Sequence, residues 1–465
     1  MGTAAAPAGA GPKNYQKRIL DMTPSESPKK KVLMICYQFP PDMGVGSLRS
    51  RKYAQYLEDF GWECSVLTRC FGRDRKVHFP GTVTITSVYA PDLSQWLGQL
   101  VRIVQSLRRW LRKKCSTVGS TNNPSAAAAL SSDGMGMATQ IQRMFLLPDT
   151  QFLWILAAIP FALWKQRDCR VIYTSAWPVS CHVLGLLVHK LTGKPWVADY
   201  RDEWTLNTQW LPPTRFHRWL GEKLDAACVR NARFVVNTTE IRTQNFIHKF
   251  GGNPNKYVTI HNGYDQQDIA PYLALTPPAE VLTLTSIGSL YGGRDPRPLL
   301  NTLADCVHSG LIDKQQLLVR LIGVQSESLQ SQIDQLGISE CVHVIPRIPQ
   351  LQAFEHLAQS HIALLIGSEM ERYAMTTKLY EYVGMGKKIF ALVPPGPVQE
   401  FVVRCGGICA MYNDTTQIKQ ALMVIFDQFR QGLLSQNSPP NQTYERRNLA
   451  GQFAALLDAC LTAAE

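Results

Sequence analysis

The amino-acid sequence predicts an α/β protein of two doubly wound, Rossmann-like domains, and three observations carry that expectation. Short continuous apolar runs alternate with helical stretches, the pattern of parallel strands buried on both faces. The alternation occurs twice, on either side of Thr276-Pro277-Pro278, a linker-like break. A chain of 465 residues also exceeds what one hydrophobic core organises, so two domains of roughly 200 residues follow.

The elements run in this order. Residues 1–30 read as a flexible tail. Their start, MGTAAAPAGAGPKNYQKR, has no apolar core of a secretory signal, and Ala6 stands where myristoylation needs Ser or Thr. Lys31–Tyr37 (KVLMICY) is the first strand, followed by the turn PPDMGVGSLRS and a helix over Arg51–Phe60. Gly61 serves as a C-cap before a strand at Cys64–Thr68. Residues 115–140, rich in Ser, Ala and Gly, form a mobile loop or insertion. Strands at Val171–Thr174, Trp196–Tyr200, Phe234–Asn237 and Tyr257–His261, with a helix at His182–Leu191, complete an N-terminal domain over 31–275, and HNGYD (261–265) closes it with a turn.

The second series occupies 276–445: strands at Val281–Gly288, Leu317–Ile322, Cys341–Ile345, Ile362–Leu365 and Ile389–Val393, with a helix at Pro298–Ser309. Residues 446–465 read as a helix packing back toward the N-terminal domain. Ligands of such sheets sit beyond the carboxyl ends of the strands, here in a cleft between the domains.

Composition narrows the class. Hydrophobic residues at 45% and charged residues at 18% exclude a disordered chain. The twelve cysteines share no framework spacing, and the pair Cys405/Cys409 lacks a second Cys/His pair to complete a zinc site. Reduced, mostly buried thiols place the protein in a cytoplasm-like compartment. The longest apolar run, Phe152–Trp164, contains Pro160 and is too short to span a bilayer.

The formal charge of +12 suits an anionic partner, without choosing among nucleic acid, lipid head groups and nucleotide phosphates. Residues 94–114 put Trp96, Leu97, Leu100, Val104, Leu107 and Leu111 at helical spacing, with Arg102, Arg108, Arg109, Arg112, Lys113 and Lys114 largely off that stripe. Such a helix lies on an anionic membrane surface, or packs its apolar face on its own domain.

Three segments can carry chemistry. In Thr376–Lys388 (TTKLYEYVGMGKK), Thr376 or Thr377 caps a short helix that Gly384 and Gly386 end. Its N-terminus offers free N–H groups to an anion. Lys378 and Glu381, three apart, project from one face: the lysine suits phosphates and the carboxylate suits ribose hydroxyls, or the two form an ordinary surface ion pair. The turn Tyr291-Gly292-Gly293-Arg294 lets a backbone approach phosphate beside a permanent cation, or is a plain βα turn. The third segment, Met43–Arg49, has Gly44 and Gly46 but Arg49 where a dinucleotide fingerprint needs its third glycine, which argues against NAD.

In their order along the chain, these pieces resemble family 4 of the retaining glycosyltransferases, which have the GT-B fold. The likeness runs through KVLMICYQFPPDMGVGSLRSRKYAQYLEDFGWECSVLT, KPWVADYRDEWT (194–205), HNGYD (261–265), IGSLYGGRDPRP (287–298) and KLYEYVGMGKK (378–388). It covers the chain from about residue 31 onward, outside the 115–140 insertion. The resemblance implies a donor site in the C-terminal domain and an acceptor site in the N-terminal one. Arg294 falls where the family has a basic residue on the donor pyrophosphate, Glu381 on the second glutamate of its E-x7-E motif, and Gly46 in its glycine loop. Two positions depart from the family: Ser289 stands where an arginine is frequent, and Tyr373 replaces the first glutamate, with Lys378 as a substitute charge. Arg201 and Asp202 end a strand where relatives place a catalytically important histidine, and either contacts the reacting sugar or forms a structural pair. His182, within the helical run WPVSCHVLGLLVH, fits a core or cap residue better than a base.

The activity implied is transfer of a sugar from a nucleotide-diphosphate sugar to a glycan or lipid-linked hydroxyl with retention, with no nucleic-acid partner. Arg294 and Lys378 serve the chemistry together with Arg201 and Asp202; Gly44, Gly46, Ser289, Gly292, Gly293, Thr376, Thr377 and Glu381 bind the donor. No D-x-D tripeptide occurs, so no metal or other cofactor is expected. The expected location is cytoplasmic, and peripheral on the inner membrane face if 94–114 binds membrane rather than packing on its own domain. The alternatives are an epimerase of the same fold acting on the sugar nucleotide, and a non-catalytic membrane-surface protein.

Overall fold

The computed structural model describes residues 30–462 apart from 43, 71–78, 80, 91–102, 104–105, 107–147, 208–209, 291, 325–326, 374 and 435–437. The 115–140 insertion and nearly all of 94–114 fall outside the described residues. The chain forms two compact units, one from the residues up to Ile260 together with Ala450 onward, the other from His261–Leu449.

The first unit is a seven-stranded parallel sheet in the order β3-β2-β1-β4-β5-β6-β7. Its strands are β1 (Lys30–Ile35), β2 (Trp62–Arg69), β3 (Thr84–Val88), β4 (Val171–Ser175), β5 (Trp196–Tyr200), β6 (Phe234–Asn237) and β7 (Tyr257–Thr259). β4 and β5 are buried at every residue, as expected of a parallel sheet covered on both faces. Its helices are α1 (Val45–Tyr56), α2 (Phe152–Lys165), α3 (Ser180–Thr192), α4 (Arg215–Asn231) and α5 (Glu240–Phe250). Thr214 and Thr239 cap α4 and α5 by accepting from the amides of His217 and Arg242.

The second unit is a six-stranded parallel sheet in the order β10-β9-β8-β11-β12-β13. It comprises β8 (Leu282–Ile287), β9 (Leu317–Ile322), β10 (Val342–Ile345), β11 (Ile362–Ile366), β12 (Lys388–Leu392) and β13 (Ile408–Ala410). Between them run α6 (Arg297–His308), α7 (Glu327–Gln335), α8 (Gln350–Ala358), α9 (Thr377–Gly384), α10 (Pro397–Arg404) and α11 (Thr415–Arg430); α12 (Arg446–Thr462) follows. In each sheet the order reverses beside the first strand, at β1/β4 and at β8/β11, which are the switch points where open α/β sheets bind ligands.

Several boundaries differ from the sequence reading. Lys30 opens β1 rather than ending a tail. The helix expected at Arg51 begins at Val45, so Gly46 lies in its first turn; Asp42 accepts the Gly44 amide at 2.9 Å and sets that early start. The segment 261–265, assigned to the first half, groups with the second unit, because Tyr264 is buried there and trades backbone hydrogen bonds with Tyr444 and Arg446. From Ala450 onward α12 belongs to the first unit, where Phe453 stacks on Tyr53 at 4.6 Å and meets Tyr173 edge-on at 4.9 Å. Each such pair contributes about 1 kcal/mol beyond area burial.

Among the described residues no helix is long and apolar enough to cross a membrane. The described cysteines are free thiols, most of them buried.

His182, on α3, is fully buried. Its Nδ1 meets the Thr174 hydroxyl at 2.7 Å, while Nε2 has no hydrogen-bond partner among the described residues. Burial lowers its pKa from 6.5 to about 3. Between those values the unfolded chain holds a proton that the folded one refuses, so this group costs stability as pH falls below 6.5. Chemical denaturation at pH 7 and pH 5 should show a loss of about 2 kcal/mol from this residue. The slope should flatten in His182→Gln; equal slopes in both proteins would refute the assignment.

Candidate functional site

Each unit gathers functional side chains at the carboxyl end of its sheet. In the second unit, β8 and β11 pair only through Ile362 with Leu284 and Ala363 with Thr285, then splay apart. The Tyr382 hydroxyl fills the gap, accepting from the Ile287 amide at 3.1 Å and donating to the Leu364 carbonyl at 3.3 Å. Beyond it lies Gly288, whose φ of +103° favours glycine. A Cβ built on Gly288 would stand 2.2 Å from Lys378 Nζ, so this turn must be glycine for the lysine to lie across the end of β8.

A pocket of about 330 Å³, counted with its open mouth, sits at the ends of β11 and β12. Leu365, Val393, Pro394 and Val398 form its apolar wall, and Arg294, Ser368, Arg372 and Thr376 its polar side. The glycine turn brings Arg294 here. Gly292 and Gly293 both have positive φ, and Ser368 Oγ donates to the Gly292 carbonyl at 2.6 Å, tying that turn to the loop after β11. Arg294 is 9% exposed, and its Nη1 reaches the Ser289 carbonyl at 3.4 Å. Thr376 is the N-cap of α9, yet its side chain makes no capping bond; its Oγ1 is buried without a hydrogen-bond partner among the described residues. Arg372 Nε is likewise buried and unpartnered there, although the same guanidinium pairs with Glu369 at 2.7 Å. Unsatisfied buried donors are rare, and here they belong to residues lining a pocket at the start of α9. Charge, geometry and free donors together suit an anion.

The pocket lining joins Arg294 and Thr376 but includes neither Lys378 nor Glu381. Glu381 is buried on α9 and accepts from Gln350 Nε2 at 2.9 Å. Burial raises its pKa, while the positive charges of Arg446 and Lys378 oppose that rise. Tyr373 is 53% exposed and does not line the pocket. Sequence reasoning missed Arg372 and Ser368. They lie in an irregular loop with no periodicity; a cation one residue before the departing Tyr373 was the only available signal.

In the first unit, Arg201 follows β5 and reaches across to the glycine loop after β1. Its Nη1 donates to the Gly46 carbonyl, its Nη2 to Gln38 Oε1 at 3.5 Å, and its Nε to Asp202 at 3.3 Å. A Cβ on Gly46 would run into the ends of the Gln38 and Arg201 side chains, so any larger residue would have to displace them. Gly44 precedes α1 and is held by Asp42. Arg242 donates to the Arg201 carbonyl at 2.8 Å and lies 3.8 Å from Asp202. Asp202 is 40% exposed, whereas the Arg201 guanidinium is largely engaged with protein partners. Beneath this cluster, Arg49 donates to Asp199 at 2.8 Å and Tyr173 donates to the same carboxylate oxygen at 2.7 Å, all buried. The Arg49 guanidinium also lies 5.0 Å from the Tyr53 ring centre.

Residues 46–263 match the family described as glycosyl transferase 4-like domain. Sucrose-phosphate synthase from Thermosynechococcus elongatus is similar in structure, at 13% identity and a TM-score of 0.58, covering 94% of this chain and 100% of that one. Anabaena HepE in complex with UDP is similar at 14% identity and a TM-score of 0.58, covering 92% and 100%. UDP-GlcNAc 2-epimerase from Neisseria meningitidis bound to UDP-GlcNAc shows 11% identity and a TM-score of 0.51, covering 92% and 100%. No curated protein matches the chain. Residues 46–263 thus match a glycosyl transferase 4-like domain, and the chain has the GT-B fold of these structural neighbours.

Proposed function

We propose that the protein transfers a sugar from a nucleotide-diphosphate sugar to a glycan or lipid-linked hydroxyl, with retention and without a metal ion. One observation carries the reading: at the carboxyl ends of β11 and β12, a pocket holds Arg294 together with two buried polar atoms that have no partner among the described residues, Arg372 Nε and Thr376 Oγ1. A diphosphate oxygen supplies the acceptors these groups lack. Lys378, laid over Gly288, adds a further cation at the end of β8. Departure of a nucleoside diphosphate develops negative charge on the leaving oxygen, and fixed cations at that point lower its barrier. Glu381 takes the ribose hydroxyls, oriented by Gln350. Arg201 holds the glycine loop through Gly46, leaving the more exposed Asp202 to meet the acceptor.

HepE is bound to UDP and the Neisseria epimerase to UDP-GlcNAc, so uridine nucleotides are the first to try. Calorimetric titration of UDP, GDP and ADP should show one binding tightly. Arg372→Ala should weaken it, because a charge-assisted hydrogen bond to the nucleotide is lost. No binding of any nucleotide would refute the reading and leave a scaffold without chemistry. Incubating UDP-GlcNAc without acceptor tests the epimerase alternative, since an epimerised product would replace transfer by isomerisation.

Activity should survive EDTA undiminished, because Arg294, Lys378 and the α9 N-terminus supply the charge. Complete loss in EDTA with recovery on adding Mn²⁺ would overturn that expectation.

A further inference from the structure

The first unit carries an aromatic and basic surface that the chemistry above does not use. Helix α4 buries His217, Gly221, Asp225 and Cys228 and turns Phe216 and Trp219 outward, 57% and 53% exposed. Just before it Leu211 is 71% exposed. Gly221 admits the Trp210 ring (a Cβ there would lie 2.6 Å from it), which pins the Leu211 segment against the helix. Arg215, Arg218 and Lys223 are exposed among these side chains, with Glu222 the carboxylate beside them. Large apolar groups rimmed by cations mark a surface that meets something.

We infer that this face of α4 docks on an anionic lipid bilayer, with Phe216, Trp219 and Leu211 entering the interface and Arg215, Arg218 and Lys223 meeting head groups. Aromatic side chains sit favourably at head-group depth, and each nearby cation adds about 1 kcal/mol on an anionic leaflet. Charge decides against the other occupants. A second copy meeting this one through the same face would bring together two sets of Arg215, Arg218 and Lys223, with only Glu222 and its counterpart to offset them. The chain's own residues 94–114 carry Arg102, Arg108, Arg109, Arg112, Lys113 and Lys114, which this face repels. Single-stranded nucleic acid needs open ring faces, but Phe216 and Trp219 pack on each other at 5.9 Å and 30°.

The test is co-sedimentation of the full chain with vesicles of phosphatidylcholine alone and with added phosphatidylglycerol. Wild type should bind the mixed vesicles and scarcely the neutral ones. The double variant F216S/W219S should partition at least roughly tenfold more weakly, with unchanged circular dichroism. As a second variant, R215E/R218E should lose the preference for phosphatidylglycerol while keeping both rings. Wild-type binding by F216S/W219S would assign any membrane contact to other residues and overturn the proposal. So would failure of wild type to bind, competition by poly(U) that depends on these two rings, or a change from dimer to monomer in the variant.

Discussion

Replacing Arg294 or Lys378 by alanine is expected to lower turnover by roughly two orders of magnitude, about 3 kcal/mol of transition-state stabilisation and the scale of one lost oxyanion donor. Arg294 is held at the pocket by the glycine turn and lies almost fully buried, so water replaces its charge poorly. Lys378 reaches across Gly288, which has no side chain to keep it away. The loss should fall on kcat more than on nucleotide affinity, because the cations act most strongly on charge that develops as the bond breaks. Arg294→Lys should recover part of the loss, since a point charge replaces a planar fork. Wild-type turnover in either alanine variant would remove these residues from the mechanism.

Arg49→Met should destabilise the first unit by about 3–5 kcal/mol, the cost of leaving one member of a buried ion pair uncompensated. The Arg49 and Asp199 side chains are 4% and 0% exposed and meet at 2.8 Å. Removing the cation strands a carboxylate that then relies on the Tyr173 hydroxyl. The double variant R49M/D199N removes both charges and should regain most of the loss, as a double-mutant cycle would measure. A change under 1 kcal/mol in urea unfolding of Arg49→Met would refute this account. The pair also ties α1, which follows the glycine loop, to the end of β5, so partial activity loss in folded R49M is expected alongside.

The sheets were legible because buried parallel strands write themselves as apolar runs. KVLMICY, WVADY and IALLI each stand out without any partner in view. β3 did not, because Thr84–Val88 is an edge strand of half-exposed residues with little apolar signal. Helix α1 was read late, since its first turn contains Gly46 and Ser47, whose propensities argue against the helix that Gly44 and Asp42 begin. Within the candidate site, Arg294 and Thr376 were found by local chemistry, a glycine turn and a helix start. Arg372 was not, since its place depends on a loop that lies against Gly396 after β12, a contact no local pattern encodes. Arg201 was singled out, but its hold on Gly46 joins residues far apart in the chain and emerges only from the fold.

The return of α12 bears on how the protein is made. During synthesis the strands of the first sheet leave the ribosome well before Phe453, and His261–Leu449 must be translated in between. Until then Tyr53 and Tyr173 lack the ring that finally covers them. The nascent first unit therefore passes through a stage with an uncovered aromatic surface, the kind of surface that chaperones hold and that aggregates at high expression.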